Sequence, residues 1–267
     1  MLPKEWRLIS DLKGNTFMNM AIDEAIAISY VGAGFKPAPT IRFYTWGKPA
    51  VSIGYFQRIM PVVNWLNNSP SLNTPLYPLL IEGKGTIDIV RRPTGGGVVL
   101  HGTDLTYSVA TGLPRGFAPR NDNSSRNLIP LFYRHMGQAM IEGLRLLGIN
   151  ANLKSAVGAG FKPASTQNPG LSLCAQTPVG ADVLVEGIKV AGCAARRFGD
   201  TLLLQGYISI GHIVDITAQQ LIDAMIKGFT VSLDIELLHG KLTDEEASLA
   251  GELNNKKYSR REWNYKR

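Results

Sequence analysis

The chain has 267 residues, a length that fits one large domain or two small ones and is sufficient to bury a core. Hydrophobic residues make up 45% and charged residues 18%, which excludes a wholly disordered or collagen-like chain. Twenty-eight basic and 21 acidic residues leave a net charge of +7, which favours acidic partners such as nucleic acid, anionic lipid or an acidic carrier protein.

The sequence has no feature of a membrane-spanning or secreted protein. No run approaches the ~18 consecutive apolar residues of a membrane helix, and the start MLPKEWRLIS has no hydrophobic signal core. Two cysteines, Cys174 and Cys193, are too few for a disulfide framework, and no CxxC or histidine cluster predicts a zinc site. We therefore expect a cytoplasmic protein without a metal, in which each thiol is either structural or a reagent.

In chain order, the first predicted element is a helix that Asn15 or Thr16 caps and that continues to Tyr30. Short β-rich segments are then predicted to be strands: Thr40–Trp46, Ala50–Gly54, Ile87–Arg91, Val98–His101 and Leu105–Ala110. An apolar stripe from Phe132 to Leu147 predicts a helix that Gly148 ends.

The second half continues with strands and closes with helices. The predicted strands are Ala181–Glu186, Lys189–Ala194 and Thr201–Ile210, and the step VEGIK between the first two predicts a tight hairpin. The predicted helices are Thr217–Lys227 and one from Thr243, where T-D-E-E forms a capping box with Glu246. Clustered strands with helices before and after them indicate an α+β fold rather than a regular βαβ repeat.

Three segments interrupt this pattern. Val31–Thr40 reads VGAGFKPAPT and Val157–Thr166 reads VGAGFKPAST, identical at nine of ten positions and 126 residues apart. That spacing is too long for a solenoid repeat, and the Gly, Pro and Lys content is typical of exposed connections. We therefore expect one domain over residues 1–267, with loop insertions at 31–40, 63–84 and 157–170.

The densest motif is RRPTGGGVVLHGTDLTYS, from Arg91 to Ser108. Three consecutive glycines between β-rich runs allow the backbone to approach a carbonyl, a phosphate or a lipid tail. The motif lacks the Gly-Lys-Ser/Thr of a Walker A loop and does not open a helix as a dinucleotide fingerprint does. From spacing alone, a ligand loop and a glycine-rich β-bulge are equally good interpretations.

The second motif is CAQTPVGADVLVEGIKVAGCAARR, from Cys174 to Arg197. A hairpin turn separates Cys174 from Lys189 and can bring the two together; a nearby ammonium lowers a thiol pKa and favours the nucleophilic thiolate. The structural alternative is a buried cysteine and a solvated lysine. Cys193, among small apolar residues of a strand, fits that alternative better.

Taken together, several motifs resemble the biotin/lipoate protein ligase superfamily, in its branch of lipoate ligases and octanoyltransferases. The motifs are RRPTGGGVVLH, LTYS, VEGIKVAGCAARR, LQGYISI, the early MNMAIDEA and the late KYSRREWNY. The resemblance is strongest to octanoyltransferases of the LipM type. It implies a mixed, mostly antiparallel β-sheet flanked by helices, the catalytic-domain fold of this superfamily, which is similar to class II aminoacyl-tRNA synthetases.

The resemblance also implies an activity: transfer of octanoyl from octanoyl-acyl carrier protein to the lysine of a lipoyl domain or glycine cleavage H protein, in lipoate biosynthesis. Cys174 matches the cysteine that carries octanoyl as a thioester, and Lys189 matches the family's lysine. Ten further residues are expected to bind substrate or shape its pocket: Arg91, Arg92, Thr94, Gly95, Gly96, Gly97, His101, Gly192, Cys193 and Ala194. A catalytic-base role for His101 is less favoured, because no aspartate or asparagine partner is identified from the sequence. No metal or organic cofactor is implied.

Three alternatives remain at this stage. An ATP-dependent lipoate ligase would use ATP and magnesium, bind lipoyl-AMP through Lys189 and leave Cys174 incidental, although the ligases' usual Asn-Asp pair is Ala181-Asp182 here. A relay enzyme that moves octanoyl from H protein to another lipoyl domain is also cysteine-dependent. A noncatalytic binding module for nucleic acid is the weakest, since the basic residues are scattered and no aromatic-basic RNA motif appears, and we expect neither nucleic acid nor membrane as a partner.

Overall fold

The computed structural model describes residues 3–32, 38–68, 87–112, 125–154, 174, 180–211 and 213–266. The strands in these ranges are β1 (Glu5–Gly14), β2 (Thr40–Trp46), β3 (Ala50–Ile53), β4 (Asp88–Arg91), β5 (Val99–His101), β6 (Leu105–Gly112), β7 (Asn152–Leu153), β8 (Val183–Val185), β9 (Ile188–Phe198), β10 (Thr201–Ile208) and β11 (Glu236–His239). The helices are α1 (Thr16–Gly32), α2 (Ile59–Asn68), α3 (Ser125–Leu146), α4 (Ala218–Leu233), α5 (Asp244–Leu253) and α6 (Arg261–Asn264), with a π-helical turn, Asn254–Tyr258, between the last two.

The strands form one large and one small sheet. The large sheet has the order β11-β1-β2-β6-β10-β9-β8-β7, in which β1 runs parallel to β11 and β2 and the remaining pairs are antiparallel. The small sheet has the order β4-β3-β5, with one parallel and one antiparallel pair. The predicted α+β fold with a mixed, mostly antiparallel sheet is confirmed.

The two faces of the large sheet serve different cores. Because successive strand residues point to opposite faces, Phe43, Tyr107 and Leu204 enter a core with helices α3 and α4. Their neighbour Tyr44 enters a second core with α1 and β3. The space that becomes the functional site lies on this second face, between the large and small sheets.

Local predictions hold where they rest on caps and turns. Asn15 Oδ1 accepts hydrogen bonds from the amides of Phe17 and Met18, at 3.0 and 3.2 Å, and so caps α1. The VEGIK hairpin joins β8 to β9 through Glu186 and Gly187, whose φ angles of 50° and 81° suit a two-residue turn. The Thr243 capping box with Glu246 is also present.

Other elements were missed or misplaced. Strands β1, β7 and β11 were not predicted, and the helix predicted to end at Lys227 continues as α4 to Leu233. The proposed insertion at 63–84 begins inside α2, whose Ile59, Val62 and Leu66 recur at helical spacing around Pro61 and pack in a common cluster. Proline is tolerated in a first turn, so it does not end this helix. The rest of that insertion (69–84), residues 33–37 of the first and all of 157–170 lie outside the described residues.

No helix in the described ranges combines the length and the apolar character needed to cross a membrane.

Candidate active site

A cavity lies between the two sheets, and its floor follows directly from strand register. Tyr44, Thr106, Tyr207 and Gly192 are directly opposite one another across β2, β6, β10 and β9, so all four point to the same face. The remaining lining residues come from α1, the small sheet, the glycine loop and the neighbouring strands: Met20, Trp46, Ser52, Arg92, Gly96, Val99, His101, Cys174, Cys193, Ala194, Gln205 and Gly206. The exposed surface of the cavity is mostly apolar.

Glycines occupy the positions beside the cavity where a larger residue would not fit. A Cβ at Gly192 would lie 2.5 Å from Asp182 Oδ1 and 2.7 Å from Lys189 Cε, so only glycine leaves room for both side chains. In the loop, Gly96 has a φ of 89°, and its carbonyl oxygen would lie 2.0 Å from a Cβ at Gly54. The glycine motif therefore permits a close backbone approach beside the cavity.

The reactive end of the cavity pairs a thiol with a lysine. Lys189 Nζ donates a hydrogen bond to Cys174 Sγ at 3.3 Å, and the Cys174 amide is fixed by the carbonyl of Val98 at 2.8 Å. The lysine side chain is only 2% exposed, so its charge acts on the sulfur with little screening by water. The sulfur of Cys174 therefore lies beside a buried positive charge.

A third residue, Asp182, completes this group, although it was not among the site residues predicted from the sequence. Asp182 Oδ2 accepts a hydrogen bond from Lys189 Nζ at 2.7 Å, and its side chain is 5% exposed. Burial lowers the pKa of Lys189, but the charges of Cys174 and Asp182 outweigh that effect, and the pKa lies above its usual value. Lys189 therefore stays positively charged in a buried position.

Cys193 differs from Cys174 although both contribute to the cavity lining. It lies on β9 between Gly192 and Ala194, so its side chain points to the opposite face, against Tyr107 and the core with α3 and α4. Burial raises the pKa of its thiol to about 12. Its sulfur therefore remains a neutral thiol.

Arg92 holds the glycine loop in place. Its Nη2 donates to the carbonyls of Gly95 and Gly97 at 2.9 and 2.8 Å, and its Nη1 donates to the carbonyl and hydroxyl of Ser52. Burial lowers the pKa of this guanidinium. Arg92 therefore connects the loop to β3 and borders the cavity at the same time.

Thr94 anchors the loop from the other side. Its hydroxyl donates to Gln205 Oε1 at 2.8 Å, while Gln205 Nε2 donates to Asp23 Oδ2 at 2.7 Å. Asp23, from the MNMAIDEA motif, also accepts hydrogen bonds from Arg42, Tyr44 and Ser108. This buried network fixes the Gln205 amide and ties the loop to α1 and to the floor of the cavity.

His101 has both ring nitrogens occupied. Nε2 lies 2.7 Å from Ser52 Oγ, and Nδ1 lies 2.7 Å from Asp104 Oδ2. Asp104 is thus the acidic partner of His101 that could not be identified from the sequence. Because the Asp104 carboxylate can only accept, Nδ1–H donates to it, while Arg92 also donates a hydrogen bond to Ser52 Oγ. Ser52, His101 and Asp104 follow one another in the order of a Ser-His-Asp triad. Ser52, however, is fully buried and is itself hydrogen-bonded to Arg92, so this series of hydrogen bonds fixes the position of the imidazole.

The Trp46 ring stacks on this imidazole, with centroids 3.9 Å apart and planes 19° from parallel. Trp46 Nε1 donates to Thr106 Oγ1 at 2.8 Å, and Thr106 Oγ1 donates to Asp104 Oδ2 at 2.9 Å. Burial alone would raise the pKa of Asp104, but His101 and the hydrogen bonds from Gly102 and Thr106 bring it below the usual value. One ionised carboxylate thus holds both stacked rings.

Arg91, unlike Arg92, is not among the residues that line the cavity. It is fully buried, and its guanidinium donates to the carbonyls of Gly54, Tyr55, Gln57, Trp263, Asn264 and Lys266. Of the sequence-predicted set, Arg92, Gly96, His101, Gly192, Cys193 and Ala194 line the cavity with Cys174. Thr94, Gly95 and Gly97 support the loop behind it, Lys189 contacts the sulfur, and Arg91 joins the loop region to the C-terminal segment.

The chain matches the family model "Lipoyl protein ligase A/B catalytic domain" over residues 15–227. Among curated proteins, it is 31% identical over 299 aligned residues to a Brevibacillus brevis protein named Octanoyltransferase LipM, covering 99% of this chain and 100% of that protein.

Solved structures give the same architecture. A T. acidophilum protein described as a candidate lipoate protein ligase, with bound lipoic acid, matches with a TM-score of 0.72 and 26% identity, covering 98% of this chain and 99% of that one. A second structure, titled a bi-partite lipoate protein ligase and its E2 lipoyl domain from Thermoplasma acidophilum, matches with a TM-score of 0.67 and 25% identity over 98% and 97% of the two chains. The catalytic-domain fold implied by the sequence resemblance is confirmed.

Proposed function

Because the chain belongs to the lipoyl protein ligase A/B catalytic domain family, we propose that it is an octanoyltransferase of lipoate biosynthesis, with Cys174 as the acyl carrier. Full-length relatives at about 30% identity bear the name octanoyltransferase. The observation that carries the mechanism is the hydrogen bond of 3.3 Å between Lys189 Nζ and Cys174 Sγ at the end of an apolar cavity. A ligase does not need a thiol at that position, whereas a thioester mechanism does.

In the first half-reaction, Cys174 thiolate attacks the carbonyl carbon of an octanoyl thioester on acyl carrier protein. A new sulfur–carbon bond forms, the bond to the carrier sulfur breaks, and the carrier leaves as a thiolate that takes a proton from solvent. The Lys189 ammonium stabilises the attacking sulfur and the developing oxyanion. Backbone at Gly96 and Gly192 borders the same space and is assigned to the oxyanion as well.

Asp182 keeps the lysine charged through this cycle. When the sulfur becomes a neutral thioester, Lys189 loses its negative neighbour, and a buried unpaired ammonium is strongly destabilised. Asp182, bonded to it at 2.7 Å, supplies the remaining counter-charge. The ammonium is therefore present when the second half-reaction again needs an oxyanion partner.

In the second half-reaction, the neutral amine of the acceptor lysine attacks the thioester carbonyl. The amide bond forms, the bond to Cys174 breaks, the amine loses a proton to solvent, and the thiolate returns to its contact with Lys189. The acceptor is a lipoyl domain or glycine cleavage H protein. No organic cofactor or metal takes part, because the acyl group arrives already activated as a thioester.

Two features support these partners. The net charge of +7 favours acidic proteins, and the octanoyl chain fits an apolar cavity between two sheets. One structural relative is described together with its E2 lipoyl domain, and this supports a lipoyl domain as the acceptor here.

The decisive experiment omits ATP. Octanoyl-acyl carrier protein mixed with the pure protein should leave an octanoyl adduct that mass spectrometry places on Cys174 and that hydroxylamine removes. Apo H protein should then discharge the adduct and gain an amide on its lysine. Modification of the acceptor only with free lipoate, ATP and magnesium would favour a lipoate ligase, and acylation only from octanoyl-H protein would favour a relay enzyme.

A further inference from the structure

Three positively charged side chains converge on two aromatic rings beside the glycine loop. Lys266 Nζ lies 4.2 Å from the centroid of the Tyr55 ring and 3.5 Å from that of Trp263. Arg196 Cζ lies 4.7 Å from the Tyr55 centroid, and Lys257 Nζ lies 4.0 Å from the Trp263 centroid. We refer to Arg196, Lys257 and Lys266 as the cation cluster. Attraction to the ring faces holds the three charges in place, although each side chain is partly exposed.

The cation cluster carries more positive charge than its neighbours neutralise. Glu24 binds Lys257 at 2.7 Å, but no carboxylate of the described residues forms an ion pair or a hydrogen bond with Arg196 or Lys266. Neighbouring charges of the cluster share a ring, so they lie closer than the Debye length of ~10 Å at 0.1 M salt and repel each other. Burial and the charges of Arg91 and Lys257 lower the pKa of Lys266. An anion bound among these groups would relieve the repulsion.

The position of the cation cluster relative to the reactive sulfur follows from strand β9. Arg196 follows Gly192 and Ala194 at every second position, so its side chain starts from the sheet face that lines the cavity. Arg196 lies four residues after Gly192, which is about 13 Å along the strand. Lys189, the partner of Cys174, lies beside Gly192. A group bound at the cluster is therefore about 13 Å from the place where a thioester would react.

We propose that the cation cluster binds the phosphodiester of the phosphopantetheine arm that carries the octanoyl thioester on acyl carrier protein. That arm has about 13 bonds between its sulfur and its phosphorus and spans about 16 Å when extended. A slightly bent arm with its sulfur at Cys174 therefore reaches the cluster with its phosphate. Guanidinium and ammonium groups are the usual protein ligands of phosphate. The inference rests on the proposed function for its substrate, but it concerns a contact outside the acyl cavity.

Arg196 and Lys266 are the members with donors available for the phosphate. In the described part of the chain, Arg196 donates its hydrogen bond from Nη1 to the carbonyl of Pro93 at 3.2 Å, and a guanidinium has five N–H groups in all. The carbonyl of Lys266 accepts from Arg91 Nη2 at 2.7 Å, which fixes the backbone that presents the ammonium. Lys257 is bound to Glu24, so it contributes charge rather than a directed hydrogen bond.

The test compares two small thioesters that differ only in the phosphate. Octanoyl-phosphopantetheine and octanoyl-pantetheine serve as acyl donors with apo H protein as acceptor, and the readout is the ratio of their kcat/KM values. The wild type should favour the phosphorylated donor. In Lys266→Gln and in Arg196→Gln the ratio should fall by about tenfold, as expected for the loss of one charge-assisted hydrogen bond. The kcat/KM for octanoyl-pantetheine should stay near the wild-type value.

Lys256→Gln is the matched control. It removes the same charge from the same C-terminal segment, but the exposed ammonium of Lys256 pairs with Glu252 at 2.7 Å. This variant should leave the ratio unchanged. Lys266→Arg keeps a positive charge at the cluster and should retain most of the preference for the phosphorylated donor.

A binding measurement separates the cation cluster from the reaction. Calorimetric titration with phosphopantetheine and with pantetheine reports the phosphate contact without any acyl transfer. The wild type should bind phosphopantetheine about tenfold more tightly than pantetheine, and Lys266→Gln should lose this difference. Phosphate-dependent binding by a protein that transfers no octanoyl would support the cluster and reject the octanoyltransferase function.

The opposite results overturn the inference. Equal kcat/KM values for the two donors in an active wild type would leave the function standing and remove the phosphate site, as would an equal fall of the ratio in Lys256→Gln. Slower transfer from the whole octanoyl carrier with an unchanged ratio for the small donors would mean that the cluster binds acidic side chains of the carrier instead. If Arg196→Gln does not unfold cooperatively, Lys266→Gln decides, because the partly exposed Lys266 side chain can change while its carbonyl still accepts from Arg91.

Discussion

Two buried pairs beside the cavity are built from the same groups, an aspartate bonded to a basic side chain at 2.7 Å. In one pair Asp182 binds Lys189, and in the other Asp104 binds His101. The difference lies in what else the basic group contacts. Lys189 also donates to the sulfur of Cys174, whereas His101 gives its second nitrogen to Ser52.

That difference separates reactivity from shape. Beside Cys174, one donor of the buried cation points at the sulfur that we propose as the nucleophile, so its charge acts on the reacting atom. Beside Trp46, both imidazole nitrogens are hydrogen-bonded within the protein, so the aspartate only fixes the ring positions. A buried aspartate-base pair therefore does not by itself mark a catalytic group; the third contact decides.

The largest effect should come from the thiols. Cys174→Ala should reduce ATP-free octanoyl transfer by at least about a thousandfold, since removal of a nucleophile eliminates the covalent route. Cys193→Ala, whose side chain faces the other core, should reduce it by less than about tenfold. Steady-state transfer to apo H protein measures both. Comparable losses in the two variants would contradict the assignment of the nucleophile.

The next effect concerns the charge beside the sulfur. Lys189→Met should slow alkylation of Cys174 by iodoacetamide at neutral pH by about tenfold, because loss of a neighbouring ammonium disfavours the thiolate. Asp182→Asn removes a negative charge near the sulfur, so it should not slow alkylation, but it should slow acyl transfer because Lys189 then lacks a counter-charge in the thioester state. Glu186→Gln removes an exposed carboxylate in the hairpin turn and serves as the charge control. Equal alkylation rates in all four proteins would mean that the buried charges do not act on Cys174.

For the pair of Asp104 and His101, the expected effect is on stability. Asp104→Asn should lower the free energy of unfolding at pH 7 by about 2 kcal/mol, since it removes an ionised acceptor from a buried network, while the alkylation rate of Cys174 stays near wild type. The pKa of Asp104 lies below its usual value in the folded state, so its stabilisation is present above about pH 4 and is lost as the pH falls further. Urea unfolding at several pH values measures the difference between the two proteins. A difference that persists unchanged at low pH would show that the carboxylate charge is not what holds the rings.

The smallest effect lies in the backbone next to Asp182. Ala181 has a φ of 72°, a left-handed conformation that costs a residue with a Cβ about 1 kcal/mol. Ala181→Gly should therefore raise the free energy of unfolding by up to about 1 kcal/mol. Gly187→Ala is the reverse control, because Gly187 has a φ of 81° with open space around it and should lose about the same amount. Thermal unfolding of the two variants tests the pair.

Sequence predicted the elements whose signals are local. Asn15 and Thr243 mark helix starts, and Glu186-Gly187 marks a turn, because caps and turns depend on neighbouring residues. Strand β11 was missed because Glu236–His239 is short and has little burial of its own; it exists through pairing with β1, more than two hundred residues earlier.

The site residues also include some that could be predicted from the sequence and some that could not. Cys174 and Lys189 were assigned through motif resemblance, which carries spatial information that composition does not. Asp182 and Asp104 were not assigned, although Asp104 follows His101 by only three residues, because the turn that brings them together is visible only in three dimensions. Arg91 shows the opposite case: its motif suggests a ligand contact, but its partners come from residues 54–57 and 263–266.

Those partners have a consequence for the order in which the protein is made. Half of the carbonyls that receive the Arg91 guanidinium lie 172 to 175 residues later in the chain. During synthesis from the N-terminus, the strand that carries Arg91 leaves the ribosome long before Trp263, Asn264 and Lys266 exist. A guanidinium buried without these acceptors is strongly unfavourable, so we expect the small sheet to close only after residues 263–266 have joined it. A nascent chain would then hold its glycine loop, and the cavity beside it, in an unfinished state until those residues have been made.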